Sequence, residues 1–263
     1  MHTFQTYDLF RLSHFKVRKP KIDFGDTASF AYYRFSEVGY FNYILFKTST
    51  YDKAALKEIL RAYLKDGITQ VKLLFPAVFK ESLSALIAGE TLHEIACLKQ
   101  SLEENQQSNK YEPMLTLVEN EKDLLEYTRI YLEAFESSNT DYEEVAQNFA
   151  LLMHDDAVDF FLVNYKSNFV GICSNYYGPE AVFLSAGAVL PPYKNHGLHK
   201  QIIAERMALA KLKGHTEFVS WAYTGSISYE NLMKSNFTHY ASYCEYVSKP
   251  LELLTAAGGL LSR

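Results

Sequence analysis

AVLPPYKNHGLH, residues 188–199, joins an apolar run, Ala181 to Val189, to a run from Leu198 to Lys213 whose apolar residues recur at helical spacing. The predicted order is strand, glycine-bearing loop, helix. A loop of this kind can hold a phosphate, because its backbone N–H groups and the positive end of the helix dipole converge on one point. The stretch is therefore expected to be an anion cradle.

The 263 residues are 48% hydrophobic and 22% charged, a balance that builds a packed core and argues against disorder. That length admits one large domain or two of ordinary size. A net charge of -5 gives no general attraction to polyphosphate, so nucleic acid is not an expected partner. Basic residues do gather between Arg11 and Lys21, which reads as a solvated N-terminal face. Cys97, Cys173 and Cys244 lack the paired spacing of a zinc site or a disulfide framework and fit reduced structural thiols. His196 and His199 would need a further ligand that the sequence does not offer, so no metal is expected. The N-terminus lacks the apolar core of a secretory signal, and no run approaches the roughly 18 apolar residues of a membrane span. The expectation is a cytoplasmic protein with no membrane partner.

Taken in order, Ala28 to Lys47 reads as two strands broken at Gly39, and Tyr51 to Lys65 as a helix with Leu56, Ile59, Leu60, Tyr63 and Leu64 at helical spacing. Val71 to Phe75 is a short strand ended by Pro76, Lys80 to Ala88 a second helix, and Thr91 to Leu102 another strand. The polar run LEENQQSNKY, residues 102–111, then marks a linker. The predicted domains are 1–109 and 110–263. Beyond it come a strand at Met114 to Val118, helices over Glu121 to Phe135 and Asp141 to Met153, and a hairpin from Asp159 to Tyr177 turning at Lys166-Ser167-Asn168. The loop stretch follows, then a strand at Thr216 to Ala222, a helix at Ser226 to Lys234 and a strand at Thr238 to Val247. The second half thus runs β-α-α-β-β-β-α-β-α-β.

Val189-Leu190-Pro191-Pro192-Tyr193-Lys194-Asn195-His196-Gly197-Leu198-His199 resembles the acetyl-CoA loop of the GCN5-related (GNAT) N-acetyltransferases, Val-x-Pro-x-Tyr followed by Arg/Gln-x-x-Gly-x-Gly/Ala. Lys194 stands at the Arg/Gln position and Gly197 at the first glycine. His199 departs from the pattern, since a bulky side chain there would narrow the approach of a pyrophosphate. Downstream, Gly225 to Phe237, GSISYENLMKSNF, is similar to a Gly-Ser-x-Ser-x-x-Asn-x-x-x-x-Gly-Phe segment of tandem-domain members, with Asn236 in place of the glycine. Asparagine tolerates the left-handed conformation that the turn requires. Tyr40 to Phe46, YFNYILF, resembles a segment of the degenerate N-terminal domain of such proteins, and the AVFKESLSAL that follows Phe75-Pro76 has no phosphate-loop glycine.

The resemblance implies an α/β fold of two GNAT-like domains, each a mostly antiparallel sheet flanked by helices, the first degenerate and the second binding acetyl-CoA as co-substrate. It implies a V-shaped opening between the strand ending at Val189 and the strand Thr216 to Ala222. The backbone of Asn195, His196, Gly197, Leu198 and His199 would face the pyrophosphate, Lys194 or Lys200 would add positive charge, and Asn231 would bond the pantetheine arm. The implied activity is transfer of an acetyl group to a primary amine of a small molecule by direct attack, with the acceptor entering between the domains. Leu232 occupies the family's usual tyrosine position. Tyr229, one turn earlier on the same helix, is the candidate acid, and Glu217 and Ser185 are polar residues on the flanking strands that could relay a proton. His199 and Leu232 favour a second reading, a weak or inactive GNAT-like protein that binds acyl-CoA as sensor or scaffold. The residues leave open whether the chain forms a homodimer.

Overall fold

The computed structural model describes residues 3–87, 92–102, 113–135 and 141–258. Its helices, in chain order, are α1 (Thr3–Phe15), α2 (Lys53–Lys65), α3 (Glu121–Ala134), α4 (Tyr142–Ala150), α5 (Leu198–Leu212), α6 (Ile227–Lys234) and α7 (Pro250–Ala256). The strands are β1 (Asp23–Asp26), β2 (Phe30–Arg34), β3 (Tyr43–Phe46), β4 (Val71–Pro76), β5 (Leu92–Ser101), β6 (Leu115–Leu117), β7 (Val158–Tyr165), β8 (Asn168–Tyr177), β9 (Val182–Val189), β10 (Glu217–Tyr223) and β11 (Thr238–Ser248). The class is α/β, and from β6 to β11 the element order is the one the sequence predicts.

The chain packs as two units. The larger comprises Met1–Phe15, Leu98–Trp221 and Gly225–His239; the smaller comprises Lys16–Cys97, Ala222–Thr224 and Tyr240–Arg263. This division departs from a single cut at 109/110. The reason is that a strand joins whatever edge its backbone can pair with, however far away in sequence: β11 runs antiparallel to β4, from Tyr243 opposite Pro76 to Ser248 opposite Val71. The polar run at which the cut was placed falls almost wholly at residues 103–112, outside the described residues.

In the larger unit the strand order is β10-β9-β8-β7-β6. The hairpin β7–β8 turns at Lys166 and Ser167, both at positive φ (51° and 64°), which is the backbone a two-residue turn needs to match the strand twist. Side chains then alternate across the sheet. One face sets Phe161, Val163, Val170 and Cys173 against Leu198 and Ile202 of α5. The other carries Phe160, whose ring meets Tyr127 of α3 at 5.1 Å and Phe149 of α4 at 5.4 Å. Glu205 of α5 accepts the Met114 and Leu115 N–H groups (2.9 and 3.1 Å), tying the helix to the start of β6.

α1, which the periodicity does not signal, packs in this unit: Tyr7 lies against Tyr176 and Phe183 (ring centroids 5.1 and 5.7 Å), and Phe10 against Tyr176 at 5.2 Å. It also engages part of the basic cluster, with the Arg11 guanidinium 5.3 Å from the Tyr7 ring centre.

In the smaller unit the order is β1-β2-β3-β4-β11, antiparallel except for the parallel pair β3–β4 that α2 connects. Leu56, Ile59, Leu60 and Tyr63 form the buried stripe of α2, and Leu253 and Leu254 of α7 join the same core. Lys16 stacks over Phe24 at 5.0 Å and Lys19 pairs with Glu37, so these cations of the basic cluster also have partners. The helix predicted over 80–88 is absent from the described part of that stretch: a 3-10 turn, Ala77–Phe79, follows Pro76 and residues 80–86 continue as turns. Ser82 and Ser84, which compete with backbone hydrogen bonds, weaken helix formation there. The described core holds all three cysteines as free, buried thiols. Burial pushes Cys97 and Cys173 up to about 12, so both stay protonated and unreactive.

Candidate acyl-CoA site

The loop, β9, and β10 as far as Trp221 lie within the larger unit. β9 and β10 run parallel, but their pairing is confined to Val182 opposite Phe218 and Phe183 opposite Val219, with the Ser220 hydroxyl donating to the Leu184 carbonyl at 3.0 Å just beyond. From there the strands run on without pairing, which leaves the predicted opening toward their C-terminal ends. On the same stretch β9 shifts register against β8: Ser174 faces Ser185, Ile172 faces Ala188, and Cys173 alone stands opposite Ala186 and Gly187. That extra residue is a β-bulge, and Ala186 takes φ 47° to accommodate it.

At the end of β9, half-buried Val189 packs against the α5 core, and the Leu190 N–H donates to the Val170 carbonyl at 2.8 Å. Pro191–Tyr193 makes a single 3-10 turn, Lys194 and Lys200 are exposed, and the chain reverses through Asn195 (φ 68°) and Gly197 (φ 73°). Both lie in the left-handed region that glycine and asparagine tolerate. The His196 ring turns back on the loop, Nδ1 bonding the Tyr193 and Lys194 carbonyls at 3.1 and 3.0 Å. α5 then begins with no side-chain cap. Among the described residues no backbone carbonyl is recorded accepting from the N–H groups of residues 195 to 199. These orphan donors, at the positive end of a 15-residue helix, are the groups expected from the sequence to face an anion.

His199 does not stand over these N–H groups. A Cβ placed on Gly187 would lie 3.7 Å from His199 Nε2, so the ring turns inward toward the bulge. Its Nδ1 is buried without a partner, and burial, with the Arg206 charge second, lowers the ring to about 4. The expected obstruction of a pyrophosphate is thus relieved by side-chain direction.

α6 packs on α5 and starts at Ser226, whose hydroxyl accepts the Tyr229 N–H at 3.2 Å. Tyr229 is half-buried with its ring 6.2 Å from that of His239, and Asn231 is half-buried, its side chain without a hydrogen-bond partner among the described residues. Leu232 is buried, and Asn236 closes the helix at φ 66°, the conformation expected of it. The two proposed relay residues point elsewhere: Glu217 accepts from the Ser101 hydroxyl at 2.6 Å, and Ser185 shares a buried hydrogen bond with Ser174 at 2.9 Å.

Sequence reasoning missed Arg206 and Gly187. Arg206 is 3% exposed; Nε donates to Asn175 Oδ1 at 3.0 Å, and Nη2 donates to the Ser185 carbonyl at 2.8 Å and to the Ser174 carbonyl. Its signal was available, because Leu198, Ile202, Arg206 and Ala210 form one i, i+4 stripe of α5 in which a single member is charged.

The smaller unit repeats the plan of antiparallel strands ending in a parallel pair joined by a helix. Its topology places the turn corresponding to the loop after β3, at residues 47–52, rather than after Phe75-Pro76 where the sequence comparison sought it. That turn, KTSTYD, also lacks glycine, and Asp52 caps α2 by accepting the Ala54 and Ala55 N–H groups at 2.8 and 3.1 Å. A carboxylate therefore fills the place where an anion would bind.

Among the described residues no group of three metal-ligating side chains occurs, and no helix is long and apolar enough to cross a membrane. No protein-family model and no curated protein matches the chain by sequence. Solved structures do match by shape. A conserved protein of unknown function from Staphylococcus epidermidis superposes with a TM-score of 0.68 at 13% identity, over 89% of this chain and 97% of its own. A GCN5-related N-acetyltransferase from Kribbella flavida gives 0.61 at 12% identity, over 92% and 93%. A tandem GNAT protein from the clavulanic acid biosynthesis pathway gives 0.54 at 8% identity, over 79% and 75%. The fold of this chain is that of the GCN5-related N-acetyltransferases.

Proposed function

We propose that the chain is an acyl-CoA-dependent N-acetyltransferase acting on a primary amine of a small molecule. The observation that carries this reading is the uncapped start of α5, entered through left-handed Asn195 and Gly197 beside the opening between β9 and β10. The N–H groups of residues 195–199 suit a pyrophosphate, and exposed Lys194 and Lys200 add positive charge at its edge. Asn231, with its amide unengaged among the described residues, would bond the pantetheine arm from α6. The co-substrate supplies a thioester, which a neutral amine attacks directly. Tyr229 is the candidate donor to the departing sulfur, since it sits on the helix that packs against α5.

Calorimetry with acetyl-CoA, followed by thiol release with a panel of amines, tests the proposal. Binding with turnover on at least one amine is expected. Failure of the wild-type chain to bind, with no further loss in Gly197→Trp, would remove the reading. Leu232, buried where the family's tyrosine is usual, favours the sensor or scaffold reading, and binding without turnover on any amine would support it.

A further inference from the structure

We propose that Arg206 is a catalytic residue whose free guanidinium nitrogen, Nη1, stabilises negative charge developing on the thioester carbonyl oxygen beside Gly187. The inference rests on the acyl-transfer reading above and adds a residue to it.

Arg206 is a buried cation whose recorded acceptors, the Ser174 and Ser185 carbonyls and the Asn175 amide oxygen, are all neutral. Among the described residues no carboxylate pairs with it. Holding a charge inside a protein without an opposite charge is costly, so its retention in the apolar stripe of α5 calls for an anionic group that comes and goes. The three bonds through Nε and Nη2 fix the plane of the guanidinium and leave Nη1 with no acceptor among the described residues. A Cβ on Gly187 would lie 3.2 Å from Nη1, so this nitrogen faces bare backbone.

Gly187 belongs to the bulge of β9, beyond the last residue paired with β10, and so lines the opening. His199 shares this corner but stays uncharged near neutrality, because burial lowers it to about 4; it does not compete with the guanidinium for an anion. A fixed, desolvated donor aimed at a site where charge appears only during reaction is the arrangement that stabilises a transition state most effectively.

In the step concerned, the amine nitrogen adds to the carbonyl carbon. The C–N bond forms and the C=O electron pair moves onto oxygen, which Nη1–H meets. Collapse restores C=O and breaks the C–S bond, and the proton lost by nitrogen ends on the departing thiolate, giving amide and free thiol.

The test uses the full chain with acetyl-CoA labelled with 13C at the carbonyl. In wild type the bound carbonyl carbon should shift downfield relative to free acetyl-CoA. Arg206→Gln should abolish that shift while still binding, and lower kcat about 100-fold on any amine the wild type accepts, the scale seen on removing one oxyanion donor. Arg206→Lys should restore part of both. An unchanged shift in folded Arg206→Gln overturns the proposal. Should Arg206→Gln not fold, Gly187→Ala decides, because its methyl displaces Nη1 without removing the charge: a wild-type shift there overturns the proposal and a reduced one supports it. Failure of wild type to bind acetyl-CoA would instead defeat the acyl-transfer reading itself, and this proposal with it.

Discussion

His199 and Gly187 occupy one corner beneath the loop: a Cβ on Gly187 would stand 3.7 Å from His199 Nε2, and the imidazole fills space that a larger residue at 187 would claim. The side chain that breaks the family's loop pattern is therefore inside, beside a glycine of β9, and not over the N–H groups of the loop.

The first prediction concerns pH. His199 is held at about 4 in the folded chain against an ordinary value near 6.5, so between these limits the unfolded chain binds one more proton than the folded one. Stability therefore rises with pH through this window and is lost as pH falls from about 6.5 to about 4, by an amount on the order of 2 kcal/mol once partial exposure is allowed for. Thermal melts of wild type and His199→Gln at pH 7 and pH 4.5 should show the larger fall in wild type. Parallel falls would remove His199 as the cause.

A second concerns the loop backbone. Nothing lies within 4 Å of a Cβ added to Gly197, so any penalty at this position comes from φ 73° and not from crowding. Gly197→Ala should cost about 1 kcal/mol and weaken acetyl-CoA binding, whereas Gly197→Asn should cost less, because asparagine visits the left-handed region more readily. Melting and calorimetry on both variants check the order.

Third, Tyr229→Phe should lower turnover at least about tenfold with little change in acetyl-CoA affinity, as expected for loss of a general acid. Its backbone N–H is already taken by Ser226 and its ring edges onto that of His239, so the substitution leaves the helix cap and the ring packing in place. Turnover equal to wild type in an amine-dependent thiol-release assay would strike Tyr229 from the mechanism.

Fourth, the cap on α2 can be separated from function. Asp52→Ala removes the acceptor for the Ala54 and Ala55 N–H groups and should cost about 1 kcal/mol in a chemical denaturation experiment. Acetyl-CoA stoichiometry should stay at one per chain. A second site appearing in Asp52→Ala would show that the carboxylate alone keeps an anion out of the smaller unit.

By itself, the sequence determined what is local. Periodicity placed α2, α3, α4, α5 and α6 and most strands, because an amphipathic helix or a half-buried strand writes its period into its own residues. The strand-loop-helix order around Gly197 and the left-handed turn at Asn236 were legible for the same reason: each depends on conformational preferences of neighbouring residues. What the tertiary structure alone decided is non-local. The pairing of β11 with β4 and the packing of α1 beside Tyr176 depend on edges and faces supplied by residues far away in the chain. So does the inward turn of His199, whose ring lies beside residue 187 of a different element. Arg206 was visible as a charge in an apolar stripe, but its meaning came from the Ser174 and Ser185 carbonyls of two other strands: a buried guanidinium is defined by the acceptors around it, and no spacing within α5 records them.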